Sequence, residues 1–262
     1  MAQAQTTTKK QSGLNSGIVI LIATVLCNVI FYTVFAKQFD EQGHHTNVLG
    51  LVYKGGFVVP FLLATFIICI TFAVERLLTI NKAKGTGDLD GFLRNIKSKL
   101  VSNDINGALA DCAKQQGSVA NVVQAGLHKY AEMEKNTGLD AEQKVMNIQK
   151  EIEETTGLEL PVLEKNMWIL ATIASVGTLI ALFGTVLGMI KAFTGLAASG
   201  SPDPEVLATG ISEALINTAI GIITSAVAII FYNLCTNMID KLTYGIDEMG
   251  YSISQTFAAK NK

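Results

Sequence analysis

The sequence predicts an all-α integral membrane protein with four transmembrane helices and with long helices that extend into a cytoplasmic helical bundle. Of its 262 residues, 49% are hydrophobic and only 16% are charged. Four apolar runs reach the roughly 20 residues that a helix needs to cross about 30 Å of hydrocarbon. These runs are residues 17–36, 57–78, 167–194 and 211–235, and a long polar segment separates the second run from the third.

The positive charges are distributed unevenly along the chain and predict its orientation. Residues 75–166 contain twelve Lys and Arg, whereas residues 196–210 contain none. Because cytoplasmic loops are enriched in Lys and Arg, we expect both termini and the polar segment in the cytoplasm, with residues 37–54 and 196–210 outside. The first run is interpreted as a retained anchor, since no small-residue cleavage site typical of a signal peptide follows it.

The polar segment has the periodicity of short amphipathic helices. Residues 88–101 place apolar side chains at spacings of three and four behind Asp88, which is suited to be an N-cap. The same pattern predicts helices over 104–115 and about 118–134, with Gly117 interrupting the pattern between them. Together these helices predict a small bundle.

A charged helical pattern leads from the bundle into the third apolar run. It covers residues 140–165 and contains Pro161. Since proline removes a backbone donor and kinks or breaks a helix, Pro161 is the expected kink or restart. The third membrane helix is therefore expected to extend well into the cytoplasm.

The last apolar run contains an ionisable residue, Glu213. A carboxylate at membrane depth costs a few kcal/mol or more, so its presence indicates a function. On a helical wheel at about 100° per residue, polar and small residues lie on the side of Glu213, and large aliphatic residues lie opposite. Such a helix is typical of an ion path or a wet cavity. The residues on the side of Glu213 are Asn217, Thr218, Gly221, Thr224 and Ser225.

The third run carries a stripe of glycines that predicts close helix packing. Helices in lipid associate through van der Waals contact and interhelical hydrogen bonds, so a stripe without side chains lets another helix approach closely. Thr185 lies beside the stripe, where it either bonds its own i−4 carbonyl or faces the polar side of the last helix. Lys191, near the outer end, is interpreted as a side chain that reaches to the membrane interface. The glycines are Gly177, Gly184, Gly188 and Gly195.

Other kinds of site have no support in the sequence. It contains no nucleophile and base pair, no phosphate-binding loop and no metal constellation, so we expect no enzyme, no catalytic residue, no cofactor and no nucleic-acid partner. The four cysteines have no paired spacing. The adjacent His44 and His45 lack cysteine or acidic neighbours at helical spacing, so we expect solvated surface there and not a metal site.

Short blocks between about residues 55 and 240 resemble a known family. They are 74–77 (VERL), 107–109 (GAL), 124–127 (QAGL), 170–174 (LATIA), 182–190 (LFGTVLGMI), 210–215 (GISEAL), 218–221 (TAIG) and 232–233 (YN). In these blocks the chain resembles the MotA/TolQ/ExbB proton-channel family, most closely its ExbB and TolQ branch. The strongest blocks lie in the last two apolar runs.

The resemblance implies a proton-channel and motor subunit of the inner membrane of a Gram-negative bacterium. Members of this branch form pentamers around two copies of a single-span ExbD- or TolR-like partner, whose transmembrane Asp carries protons. Thr185 and Thr218 match the family's pore threonines, and Glu213 matches its acidic position. The expected ion is a proton, with sodium open as an alternative because hydroxyl oxygens also suit sodium. The periplasmic part of the partner is expected to pass force to a TonB-like protein for outer-membrane transport.

The chain departs from the branch by an extra amino-terminal span, so the expected fold is a three-span family core plus one helix in contact with membrane lipid. A TolQ-like role in envelope integrity and a gliding or flagellar-type stator are alternatives within the family. A membrane scaffold would explain the glycines but not Glu213, and a solute transporter would need inverted repeats.

The predicted parts are the tail, first helix and outer loop (1–54), the second membrane helix (55–80), the cytoplasmic helical domain (81–166), two pore-forming helices (167–240) and a cytoplasmic C-terminal tail (241–262).

Overall fold

The computed structural model describes residues 16–38, 47–198 and 204–261. Within these residues the secondary structure is helical and contains no strand. The α-helices are α1 (Ser16–Thr33), α2 (Val48–Tyr53), α3 (Val59–Ala83), α4 (Leu89–Val101), α5 (Ile105–Gln115), α6 (Gly117–Lys135), α7 (Ala141–Glu164), α8 (Met167–Ala198) and α9 (Pro204–Lys260).

Four stretches of the described residues are long and apolar enough to cross a membrane, which confirms the predicted all-α membrane fold. Each contains one of the four apolar runs of the sequence. They are Ser16–Lys37, Gly56–Ala83, Ala141–Leu196 and Pro204–Lys260.

The chain divides into two compact units. One is formed by Met1–Phe72 and Ile169–Ile229, and we call it the membrane unit. The other is formed by Ala73–Trp168 and Ile230–Lys262, and we call it the bundle unit. Helices α3, α8 and α9 contribute residues to both units, so the sequence boundaries between units fall inside helices.

In the membrane unit, α1 buries only one narrow stripe of its surface. Ala23, Cys27 and Phe31 are buried at intervals of four, and Phe31 stacks on Tyr53 with ring centroids 5.0 Å apart. Most of the remaining large apolar side chains of α1 are exposed. A helix that is apolar on all sides but buried on one is suited to contact lipid with the rest of its surface.

The segment before α3 contains a turn that forms part of the site described below. The side chain of Asn47 caps α2 by accepting a hydrogen bond from the Gly50 amide. After α2 the chain turns at Gly55 and Gly56, and Gly56 has a φ of +78°, a left-handed conformation that glycine adopts without steric cost. A short 3-10 turn over Gly56–Val58 then leads into α3.

In the bundle unit the predicted helices are confirmed almost residue for residue. The side chain of Asp88 accepts a hydrogen bond from the Gly91 amide at 2.9 Å and caps α4, as its position predicts. Helix α5 ends at Gln115, and α6 begins at Gly117. Gly117 has a φ of +83°, and a Cβ atom there would overlap with the backbone carbonyl of Ala83, which explains the interruption between the two helices.

Of the kink or restart expected at Pro161, the restart is wrong by a few residues, because α7 continues beyond this proline. Helix α7 runs through Pro161 to Glu164, and the helix is interrupted at Lys165 and Asn166, where Asn166 has a φ of +62°. A proline removes the hydrogen bond to the carbonyl four residues earlier, here that of the exposed Gly157. Because water can satisfy an exposed carbonyl, the helix tolerates the proline.

Helix α9 is much longer than the apolar run within it. Beyond residue 235 it places apolar residues at spacings of three and four, and they belong to the core of the bundle unit. The stretch 241–262, assigned as a tail from the sequence, is therefore helical as far as Lys260. These core residues of α9 are Ile239, Leu242, Ile246, Met249, Ile253 and Phe257.

Candidate functional site

Within the membrane unit, α8 and α9 pack closely along the glycine stripe of α8. A Cβ atom added to Gly177 would lie 2.7 Å from Oγ of Ser225, and one added to Gly184 would lie 2.8 Å from Cγ of Asn217. Side chains at these glycines would therefore force the helices apart, as the sequence pattern predicts for a packing stripe. Similar contacts join Gly188 to Gly210 and Ala214, Gly195 to Val206, and Gly221 to Ala181.

The register of these contacts shows that α8 and α9 run antiparallel. Residue numbers rise along α8 from Gly177 to Gly188 while those of their partners on α9 fall from Ser225 to Ala214. Position 191 on α8 therefore lies at nearly the same height along the helix pair as position 213 on α9.

The carboxylate of Glu213 is buried and paired at this level. Glu213 is 6% exposed, and its Oε2 accepts a hydrogen bond from Nζ of Lys191 at 2.9 Å. On its other side, Oε1 touches the backbone of Gly56 so closely that a Cβ atom there would overlap with it. The ion pair with Lys191 offsets part of the cost of burying this charge.

Asn217 lies on α9, four residues after Glu213, and it binds the turn that precedes α3. Its side chain is fully buried, and Nδ2 donates a hydrogen bond to the Gly55 carbonyl at 3.0 Å. This bond holds the Gly55–Gly56 turn against α9, where Gly56 contacts Glu213. Oδ1 of Asn217 and Oγ of Ser225 are buried without a hydrogen-bond partner.

Thr185 and Thr218 bring their hydroxyl groups together between the two helices. The two Oγ1 atoms are 2.5 Å apart. Each also lies within hydrogen-bonding distance of its own i−4 carbonyl, at 3.0 Å from Ala181 O for Thr185 and 3.1 Å from Ala214 O for Thr218. A hydroxyl group both donates and accepts, so a pair at this distance is suited to pass a proton. Both alternatives considered for Thr185 are therefore realised.

The polar side of α9 faces the interior of the membrane unit. Asn217, Gly221, Thr224 and Ser225 are buried, whereas Leu215 on the opposite side is 65% exposed. Within one chain these four residues support the packing of α8 on α9, and Thr218 is only partly buried.

The sequence interpretation of Lys191 as a side chain reaching to the interface missed its pairing with Glu213. It also missed Gly55 and Gly56 as parts of the site. One signal was present, since Lys191 and Glu213 are placed symmetrically about the connection between the last two apolar runs. An antiparallel pair of helices brings such residues to one level. Gly55 and Gly56 carry no comparable signal, because their partners are far along the chain.

Among the described residues, no group of three or more His, Cys, Asp or Glu is placed to hold a metal ion. The His44 and His45 pair lies outside the described residues. In the described part of the membrane unit, the structure pairs the carboxylate of Glu213 with the ammonium group of Lys191. The site is therefore one of charge and hydroxyl groups.

Known proteins match this part of the chain. Residues 114–248 match the model of the MotA/TolQ/ExbB proton channel family, and this range includes Thr185, Lys191, Glu213 and Thr218. The Tol-Pal system protein TolQ of Pseudomonas aeruginosa is 26% identical over 193 residues, which are 72% of this chain and 83% of that protein. The biopolymer transport protein ExbB of Neisseria gonorrhoeae is 25% identical over 206 residues, 77% of this chain and 90% of that protein.

A shorter match of higher identity joins the chain to the biopolymer transport protein ExbB of Salmonella typhimurium. The two are 40% identical over 78 residues, which are 29% of this chain and 32% of that protein. Since the family model matches more than half of the chain, and relatives named TolQ and ExbB align with it, the family is established. This membrane protein belongs to the MotA/TolQ/ExbB proton channel family.

Proposed function

We propose that this chain is the proton-channel subunit of an ExbB-ExbD-like motor in the inner membrane of a Gram-negative bacterium. The motor would use the proton motive force to energise a TonB-like protein for transport across the outer membrane. The observation that carries the proposal is the buried Glu213 carboxylate on the same helix pair as the Thr185–Thr218 hydroxyl contact. A purely structural helix pair has no need of a buried charge, which is costly at membrane depth.

In this proposal the two threonines pass the proton and Glu213 supplies negative charge near the path. Five copies of the chain would surround two copies of an ExbD- or TolR-like single-span partner, and each would present its threonines to the partner's transmembrane Asp. The membrane potential supplies about 2.3 kcal/mol per charge per 100 mV. Proton entry would then move the partner within the ring. Sodium is the alternative ion, since hydroxyl oxygens also suit it.

A TolQ-like role in envelope integrity is the second candidate. It is favoured by the relatives themselves, because a TolQ and an ExbB protein align with this chain over similar lengths and at similar identity. The two roles share the channel and differ in the partner. The periplasmic domain of the partner therefore distinguishes them.

The composition of the complex tests the class of function. The chain would be purified from its native membranes in mild detergent and weighed by native mass spectrometry. Five copies with two of a single-span protein that has an Asp in its membrane helix is the expected result. A lone oligomer, or a complex with a soluble ATPase, would contradict the proposal.

Conduction tests the role of Glu213. Glu213→Gln in the reconstituted complex should abolish proton flux into liposomes, measured with an enclosed pH-sensitive dye under an imposed potential, while assembly stays intact. Glu153→Gln is the matched control, because the same change is made on an exposed residue of α7. Flux that survives Glu213→Gln at the level of this control would contradict the role of Glu213.

A further inference from the structure

Lys191 takes part in the site but has no place in the function proposed so far. It lies on α8 within a membrane-spanning stretch, and its ammonium group is 2.9 Å from Oε2 of Glu213. The lysine side chain is 62% exposed, whereas that of Glu213 is 8% exposed. The pair is therefore asymmetric, since separating the two groups would leave the ammonium accessible but the carboxylate buried without its cation.

The remaining surroundings of Glu213 give its carboxylate little freedom to turn away from Lys191. Oε1 is in contact with Gly56, and Asn217 holds the neighbouring Gly55 by a hydrogen bond to its carbonyl. Neither Gly56 nor Asn217 carries a charge. Among the described residues, Lys191 is the cation that pairs with Glu213.

The threonine contact is separate from this ion pair. Thr218 follows Glu213 by five residues on α9, and its hydroxyl group meets that of Thr185 and not the carboxylate. Each of the two hydroxyl groups can donate and accept a hydrogen bond. The negative charge of Glu213, in contrast, is compensated by the ammonium group of Lys191. Two chemically different groups thus lie on one helix pair.

We propose that Lys191 is a positioning residue that keeps Glu213 as the charged half of an ion pair, so that Glu213 acts as a fixed counter-charge and does not itself carry the transported proton. The inference rests on the proposed function, in which protons pass this helix pair. The threonines and the partner's carboxyl group are then the groups that transfer protons. Lys191 sets the position and charge of Glu213 from the outer end of α8.

Chemical labelling of Glu213 tests this role without requiring conduction. N,N′-dicyclohexylcarbodiimide reacts with protonated carboxyl groups in apolar surroundings to give a stable N-acylurea, which mass spectrometry locates in the peptide. The full chain in lipid nanodiscs at neutral pH should show little modification of Glu213. Lys191→Met keeps the length of the side chain but removes its charge, and it should raise the modification several-fold. Lys191→Arg should keep it at the unsubstituted level.

Controls separate this effect from a loss of structure. The double variant Lys191→Met with Glu213→Gln should show no label at position 213, and native mass spectrometry should find the same oligomer in each variant. If Lys191→Met does not assemble, Lys191→Gln provides a second neutral replacement. Equal modification of Glu213 with and without Lys191, whether high or low in both, would overturn the inference.

The labelling outcome is independent of the proposed function. It is measured on the chain alone, so it stands even if no partner or proton flux is found. Conversely, a complex that conducts protons while Glu213 is readily labelled in the presence of Lys191 would retain the channel and reject the fixed counter-charge. In that case Glu213 itself would be a proton carrier.

Discussion

At the scale of single residues, the site depends on two glycines as much as on its charged groups. Gly55 presents its carbonyl to Asn217, and Gly56 gives Glu213 room on the side away from Lys191. The left-handed φ of Gly56 and the contact with Oε1 both exclude a side chain. The position of the carboxylate is therefore set partly by a residue that has no side chain.

We expect Gly56→Ala to displace the Glu213 carboxylate and to destabilise the membrane unit. The new Cβ would overlap with Oε1, and a left-handed conformation costs a non-glycine residue about 1–2 kcal/mol. Thermal unfolding in detergent, followed by circular dichroism, should show a lower Tm, and proton flux should fall. Gly17→Ala is the matched control, because a Cβ there has no neighbour within 4 Å. Equal Tm values for the two variants would contradict this account of Gly56.

Cys112 in α5 should be unreactive in the folded chain. Burial, and to a smaller extent the neighbouring Asp111, raise the pKa of its thiol from 9.0 to about 12. Since only the thiolate reacts, iodoacetamide at pH 8 should leave Cys112 unmodified until denaturant is added, as read by peptide mass spectrometry. A Val101→Cys variant provides an exposed reference on α4 and should react at once. Rapid modification of both cysteines would show that the bundle core is open.

The same pKa has a consequence for stability. Because the thiol pKa is higher in the folded state than in the unfolded state, deprotonation favours unfolding. The contribution of Cys112 is fully present below pH 9 and is lost as the pH rises toward 12. Cys112→Ala should reduce the loss of stability over this alkaline range, in denaturant titrations that compare both proteins at each pH. An unchanged slope would contradict the assignment.

At the scale of secondary-structure elements, the glycine stripe and the polar side of α9 form one interface. The stripe allows α9 to approach α8 so closely that Thr185 reaches Thr218 and Lys191 reaches Glu213. The contact between the two short threonine side chains in particular requires the helices to lie close together. The interhelical distance is therefore a requirement of the site, and the glycines that determine it act on function through packing.

The same substitution at two helical glycines should have opposite effects. In Gly188→Ala, the new Cβ would lie 2.8 Å from the Gly210 carbonyl oxygen, so α8 and α9 must separate. We expect a loss of about 1–3 kcal/mol in unfolding free energy, as for overpacked cores, together with loss of flux. In Gly157→Ala on α7, the Cβ has no neighbour within 4 Å, and stability should rise by about 0.5–1 kcal/mol. Denaturant titrations of both variants provide the comparison, and a gain in stability for Gly188→Ala would contradict close packing.

At the scale of the whole molecule, the long helix α9 contributes residues to both compact units. Its first part carries Glu213 and Thr218 in the membrane unit, and its last part supplies core residues to the bundle unit. Apolar residues follow a helical period along its whole length, but in the last part polar and charged residues occupy the other sides. This change of composition, without a change of secondary structure, marks where the helix leaves the apolar stretch.

The distribution of Lys and Arg predicts that both termini are cytoplasmic, with four spans between them. Green fluorescent protein fused after residue 262 should therefore fluoresce, and alkaline phosphatase fused at the same position should be inactive. Alkaline phosphatase inserted between residues 198 and 204, in the connection from α8 to α9, should be active. An active phosphatase at the C-terminus would contradict the predicted orientation.

Local features of the sequence predicted much of the fold. Asp88 and the periodicity behind it located α4, and Gly117 marked the boundary between α5 and α6, because caps and turns depend on a few neighbouring residues. The restart after α7 was misplaced at Pro161, because whether a helix tolerates a proline depends on how the freed carbonyl is satisfied. The exposure of Gly157 decides that, and it is a property of the folded chain.

The sequence by itself determined the membrane class, the four spans, the glycine stripe and the polar side of α9, because length, composition and helical period are local quantities. Only the tertiary structure decided what Glu213 contacts, namely Lys191 on one side and Gly56 on the other. These contacts join residues far apart in the chain, and they depend on the register and rotation of α8, α9 and the turn before α3. No single helix contains that information, since it arises from the packing of several helices at once.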